Sequence, residues 1–234
     1  MSLDANVRNR LLRALSRDDQ GLLEPHLQRA TLPARQRLEV ADATIKKVYF
    51  IESGLASIVA ASGHARMHQA EIALIGRDGM TGVAVLHGSR RAACDIVMQI
   101  AGDGWSINAD IFRQLLTESA TLAAPLQLYA HVLGLQGTHT ALANCCGTIE
   151  ERLARWLLMA ADRLEAELDL THEILGRMLG VPRPGITIAM KTLKARGGIS
   201  TRRGRIAVCD RRRLEDSANG FYGRPEVEFK RLLH

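Results

Sequence analysis

The chain is short of several things, and each shortage excludes a class of protein. Its 234 residues hold four cysteines, Cys94, Cys145, Cys146 and Cys209. They are too few and too scattered for a disulfide framework, and none stand at the C-x2-C spacing of a zinc site. The adjacent Cys145-Cys146 reads as two small buried residues rather than a redox device. No window approaches the roughly 20 apolar residues of a membrane-spanning helix. The opening "MSLDANVRNRLLRALSRDDQ" alternates charge with leucine and carries no apolar core of signal-peptide length. A soluble, cytoplasmic protein with no membrane partner is therefore expected. No Ser/His/Asp arrangement and no glycine-rich phosphate loop stands out, so the reading is not an enzyme and needs no cofactor.

What is present is ordinary in total and unusual in distribution. Hydrophobic residues are 47% and charged residues 24%, a globular balance long enough for one large domain or two ordinary ones. The formal charge is +6, but residues 181–213 hold ten Lys or Arg and one acid, Asp210. That window carries +9, so the remainder sums to −3. A concentrated basic patch is the footprint of a polyanion, with nucleic acid first among candidates.

The first half reads as strands. "KKVYFIESGLASIVA", "QAEIALIGRDGM" and "ACDIVMQIAGDGWSI" are short apolar or alternating runs, broken at Ser53-Gly54 or closed by Gly-Arg-Asp-Gly and Gly-Asp-Gly. Strands with glycine turns at such spacing predict an antiparallel β-roll of jelly-roll type. An amphipathic helix carrying Val7, Leu11, Leu12 and Leu15 is expected before it. From Ile111 the period changes. Leu128, Val132, Leu135, His139 and Leu142 are spaced 4, 3, 4, 3, one seam of a paired helix. Pro125 belongs near the start of that helix or at a kink. Thr148 followed by Glu151 is a capping box. It opens a helix with Ile149, Leu153, Trp156, Leu157, Ala160 and Leu164 on one face.

The stretch "HEILGRMLGVPRPGITIAMK" packs two helices around a tight turn. Thr171 caps the first, which turns Ile174, Leu175, Met178 and Leu179 inward, with Gly176 where a second helix would cross closely. Gly180 permits a positive φ and ends it. The second helix buries Ile186, Ala189, Met190 and Leu193 at i, i+3, i+4 and i+7. This is a helix-turn-helix pattern. "GGISTRRGRIAV" follows as a hairpin whose tip bears Arg202, Arg203 and Arg205, placed for phosphate contacts. The class predicted is α+β: an N-terminal antiparallel β-roll, a long dimerisation helix and a C-terminal winged helix-turn-helix. The divisions fall at residues 1–120, 121–146 and 147–234.

From Leu170 onward, "LTHEILGRMLGVPRPGITIAMKTLKARGGISTRRGRIAV" resembles the DNA-binding end of the Crp/Fnr family of bacterial transcription regulators. The element order of the whole chain resembles them too. The resemblance implies a homodimer paired through the long helix, double-stranded DNA as partner, one recognition helix per half-site, and RNA polymerase as a candidate further partner. The chain also departs from the family pattern. Arg183 matches the first arginine of the recognition helix, but Pro184 replaces a glutamate and Ile188 falls where a second arginine would be. Pro184 is well tolerated in a first turn, where its missing N–H would be unpaired anyway. The outward set is Arg183, Thr187, Ile188 and Lys191. Thr171, Pro184, Gly185 and the wing arginines complete the candidate DNA-facing residues.

For the sensing half, the resemblance points to Gly76-Arg77-Asp78, which puts arginine where cyclic-nucleotide-binding members hold the ribose with a carboxylate. Arg90 and Arg91 are the candidates for a phosphate contact. Cyclic AMP is not expected to bind, and the effector stays unassigned. Iron–sulfur sensing of the Fnr kind needs clustered N-terminal cysteines, and none precedes Cys94. Three rivals stand beside this reading: a cyclic-nucleotide-dependent regulator of the same fold, a winged helix that docks protein instead of DNA, and a metal site at His64, His68 and Glu71. "SGHARMHQ" reads as a hairpin tip, a poor frame for metal ligands.

Overall fold

A computed structural model describes residues 7–62, 68–164, 168–202 and 205–233. The first apolar run makes two short helices instead of one. The first, α1 (Arg10–Ala14), is capped by Asn9 and stops at Leu15, because Ser16 caps α2 (Arg17–Leu23) by accepting from the Asp19 N–H. Leu11, Leu12 and Leu15 are still buried together.

Among the described residues, seven strands follow: β1 (Gln28–Leu32), β2 (Arg37–Glu39), β3 (Lys47–Ile51), β4 (Leu55–Ser62), β5 (His68–Ile75), β6 (Asp95–Ile100) and β7 (Gly102–Asn108). They form two antiparallel sheets, ordered β1-β7-β3 and β2-β6-β4-β5. One core draws on both, with Val48, Phe50 and Ile107 from the first and Ala56, Ile96 and Met98 from the second. This is the β-roll. Gly102-Asp103-Gly104 is not the closing turn that its composition suggested. It lies inside β7, where a Cβ on Gly104 would stand 2.3 Å from the Phe50 carbonyl oxygen. Glycine here permits close strand approach, which composition cannot distinguish from a turn.

Helices α3 (Val83–Leu86) and α4 (Ala109–Glu118) lead to the long α5 (Ala120–Cys146), with Pro125 inside it near the start. Leu122, Leu126, Tyr129, Leu133 and Gln136 form its inner seam. Gln136 clamps β5 at two points: its Oε1 accepts from Leu74 N at 2.6 Å, and its Nε2 donates to Leu74 O at 3.3 Å.

The capping box of Thr148 and Glu151 opens α6 (Ile149–Arg163). Next come β8 (Leu168–Asp169), α7 (His172–Leu179), α8 (Arg183–Ala195), β9 (Ile199–Arg202), β10 (Arg205–Val208) and α9 (Arg211–Ser217), with the small sheet ordered β8-β10-β9. The fold class is the α+β architecture expected. The sequence carries no sign of where the chain's last helix packs. Helix α10 (Arg224–Leu233) leaves the winged helix and packs on α5, and its Phe229 and Leu233 join the β-roll core. Among the described residues, no helix is long and apolar enough to cross a membrane.

Candidate nucleic-acid interface

The turn between α7 and α8 is built from backbone requirements. Thr171 caps α7 by accepting from Ile174 N at 3.2 Å. Gly180 closes the helix at φ 64°, a left-handed conformation that a side chain resists. Val181 N then donates back to Gly176 O at 2.9 Å. A Cβ on Gly176 would lie 2.8 Å from the Val181 carbonyl oxygen, so only glycine lets the turn fold under the helix. Arg152, from α6, donates to the Leu179 carbonyl and satisfies the helix end. Ile186, Ala189, Met190 and Leu193 are buried, as their spacing required.

The opposite face of α8 is open. Arg183, Pro184, Ile188 and Lys191 are exposed, Ile188 at 66%. A β-branched apolar side chain so exposed on a basic surface gains nothing from its own fold. Two candidates turn out differently. Gly185 faces inward, where a Cβ would meet Ile149 at 2.9 Å, so it is a packing residue. The Thr187 hydroxyl sits 3.0 Å from His172 Nδ1 and donates to Arg183 O at 3.1 Å, tying α7 to α8. The wing strands pair Arg202 with Arg205, both exposed. Arg203 lies outside the described residues. Lys194 reaches Thr201 at 3.4 Å and links α8 to the wing.

Part of the local basicity is structural. Arg211 pairs with Asp162 at 2.8 Å and Glu215 at 2.9 Å, Arg213 with Asp210 at 3.3 Å, and Arg196 with Glu150. The outward charge is therefore concentrated in α8, the wing and Arg212 on α9.

Residues 151–217 match the family model of the Crp-like helix-turn-helix domain. That segment is thus a Crp-like helix-turn-helix domain. No curated protein matches it by sequence. Solved structures extend the likeness of fold over most of its length. FixK2 from Bradyrhizobium japonicum is 15% identical, with a TM-score of 0.70, and the match covers 82% of this chain and 96% of that one. The c-di-GMP responsive global regulator CLP from Xanthomonas campestris is 20% identical at a TM-score of 0.63, covering 83% of this chain and 100% of its own. A transcriptional regulator of the CRP family from Thermus thermophilus is 14% identical at a TM-score of 0.65, covering 82% and 97%. The chain thus has a Crp/Fnr-type regulator fold with a helix-turn-helix DNA-binding domain.

The remaining candidates are spread over this fold. On α5, Leu128 and Leu142 are 37% and 48% exposed, Leu135 and His139 are partly covered, and Val132 is turned into the protomer's own core. Burial lowers the His139 pKa, and Arg155 and Arg224 act in the same direction. Cys145 and Cys146, expected to be buried, are exposed at the end of α5, because the protomer packs only the other side of that helix. Arg77, Arg90 and Arg91 do not share one lining: Arg77 lines a cleft with Arg10 and Glu52, Arg90 pairs with Asp110 at 3.5 Å, and Arg91 donates to Asp42 O at 2.8 Å. Inside the roll, Met80, Val85 and Ala92 are core residues, and the Tyr129 hydroxyl donates to Met80 O at 3.1 Å. Of the metal candidates, His64 lies outside the described residues. Glu71 is buried and accepts from Ser57 and from Trp156 Nε1. Among the described residues no group of three His, Cys, Asp or Glu side chains could hold a metal ion.

Proposed function

We propose that the protein is a sequence-specific, DNA-binding transcription regulator, not an enzyme, that acts as a homodimer paired through α5. The observation that carries the reading is the outer face of α8, where Arg183, Ile188 and Lys191 project beside the arginine-bearing wing. A major groove accepts such a helix. Arginine reads guanine O6 and N7 bidentately, and an isoleucine side chain meets thymine methyl groups. Only one long donor stands near the start of the helix, so the direct code is modest and DNA shape supplies the rest of the specificity.

Arg183 is assigned to a base. Arg183→Ala is then expected to relax preference at one position of each half-site, at a cost of about 1–3 kcal/mol, and to leave the other positions unchanged. Selection from a random duplex library with both proteins tests this. A uniform loss over all sequences would reassign Arg183 to phosphate. Arg202 and Arg205 are assigned to phosphates. Arg205→Ala should weaken specific and random duplexes alike and reduce the salt slope by about one for each phosphate no longer neutralised. An unchanged slope would place the wing off the DNA and favour a protein-docking winged helix.

A further inference from the structure

Where the β-roll meets the C-terminal half, a cavity of about 350 Å³ opens between α5, the end of α6 and α10. That volume is in the range of small-molecule sites. It is not the interior of the roll, which Met80, Val85 and Tyr129 fill. One wall is apolar, formed by Val132 and Leu133 of α5 and Phe229 of α10.

The charged wall is unevenly satisfied. Arg163 pairs with Asp78 at 2.8 Å, and Arg211 with Asp162 at 2.8 Å, which neutralises two of the three lining acids. The third is Glu226. Burial raises its pKa against the opposing pull of Arg163 and Arg155, and its buried Oε1 has no hydrogen-bond partner. Arg163 is 6% exposed and keeps its Nε without one as well. A buried donor and a buried acceptor in one cavity call for a partner that matches both. Arg10 and Lys230 add two cations to the same lining. Arg10 also lines the adjoining open cleft, where Asp103 pairs with Arg8 and Arg29 and Glu52 adds a second acid, and Arg13 and Arg77 keep the approach cationic in balance.

We propose that this cavity binds a small organic anion with an apolar body, its charged group held by Arg10 and Lys230 and its body lodged between α5 and α10. A polar hydrogen on that body would meet Glu226. Because the walls come from both halves of the chain, occupancy also fixes how the halves sit together. That consequence rests on the regulator reading, whereas binding itself does not.

Titration of the full chain with anilinonaphthalene sulfonate, an aryl anion of suitable size, tests the proposal by fluorescence and calorimetry without DNA. Saturable binding at one site per chain is expected. Lys230→Glu, at an exposed position, should weaken it about tenfold or more by reversing a charge-assisted contact. Ala161→Phe, at a partly exposed lining position, should abolish it by placing a ring in the cavity. The uncharged phenylnaphthylamine should bind at least about tenfold more weakly than the sulfonate. Thermal unfolding of each variant confirms that it is folded. Absence of saturable binding, equal affinity for the neutral probe, or unchanged affinity in both folded variants would each overturn the assignment.

Discussion

Leu135→Glu is expected to turn a dimer into a monomer at micromolar concentration. Helix α5 runs 27 residues without one Asp, Glu, Lys or Arg. Its inner seam is covered by the β-roll and α10, but Leu128 and Leu142 keep 37% and 48% of their surface exposed. A solvent-facing helix surface of this length normally carries charge. Gly134 lies on the same open side of α5. A Cβ there would meet nothing within 4 Å, so the protomer itself does not require glycine at a position where it costs a helix about 1 kcal/mol. Close approach of a second helix explains both features. A carboxylate at Leu135 would be buried without a partner, once from each subunit. At several kcal/mol per buried charge, the dissociation constant should rise by about a thousandfold or more. Sedimentation of mutant and wild type checks this. A mutant that stays dimeric, or a wild type already monomeric at micromolar concentration, would remove the seam.

Replacing Glu71 by glutamine should change how stability depends on pH by about 3 kcal/mol. Glu71 is buried where β5 meets α6, accepting from the Ser57 hydroxyl and from Trp156 Nε1 at 2.5 Å. Burial pushes its pKa up to about 7, against the opposing pull of those two donors and of Arg155 and Arg163. A carboxyl raised in this way binds its proton more tightly in the folded state. Its contribution to stability is full below the unfolded value of 4.5, and it is lost as pH rises through about 7. Glutamine cannot ionise and still accepts from Trp156. The gap between Glu71→Gln and wild type should therefore move in favour of the mutant between pH 4 and pH 8, with other titrating groups cancelling in the difference. Denaturant unfolding of both proteins across that range measures it. Parallel curves would show that Glu71 does not titrate there.

Local order was written plainly in the chain. Gly176, Gly180 and the spacing of Ile186, Ala189, Met190 and Leu193 specify the helix pair, because steric and periodic rules act within one or two turns. The capping box at Thr148 is legible for the same reason, since its partners are three residues apart. The strands of the roll announced themselves by alternation. Two strands, β1 and β2, did not, β1 being largely exposed and β2 only three residues long.

What tertiary structure decided is what covers each face. Helix α5 presents a 4-3-4 series, Leu122-Leu126-Tyr129-Leu133, within the protomer and a series at intervals of seven, Leu128-Leu135-Leu142, on its more open side, and Val132 falls to the inner one. Periodicity identifies an apolar seam but not its partner. The same limit hid α10, whose Phe229 and Leu233 return to a core built from the first half of the chain. It hid the partner of Glu71, whose carboxylate is bonded to Trp156, 85 residues away. It also overstated the basic surface, because Arg211 is held by Asp162, 49 residues earlier. Charge counts and spacings describe what a segment offers. The neighbours that accept it are set by chain crossings between residues far apart in sequence, and those depend on the packing of the whole molecule.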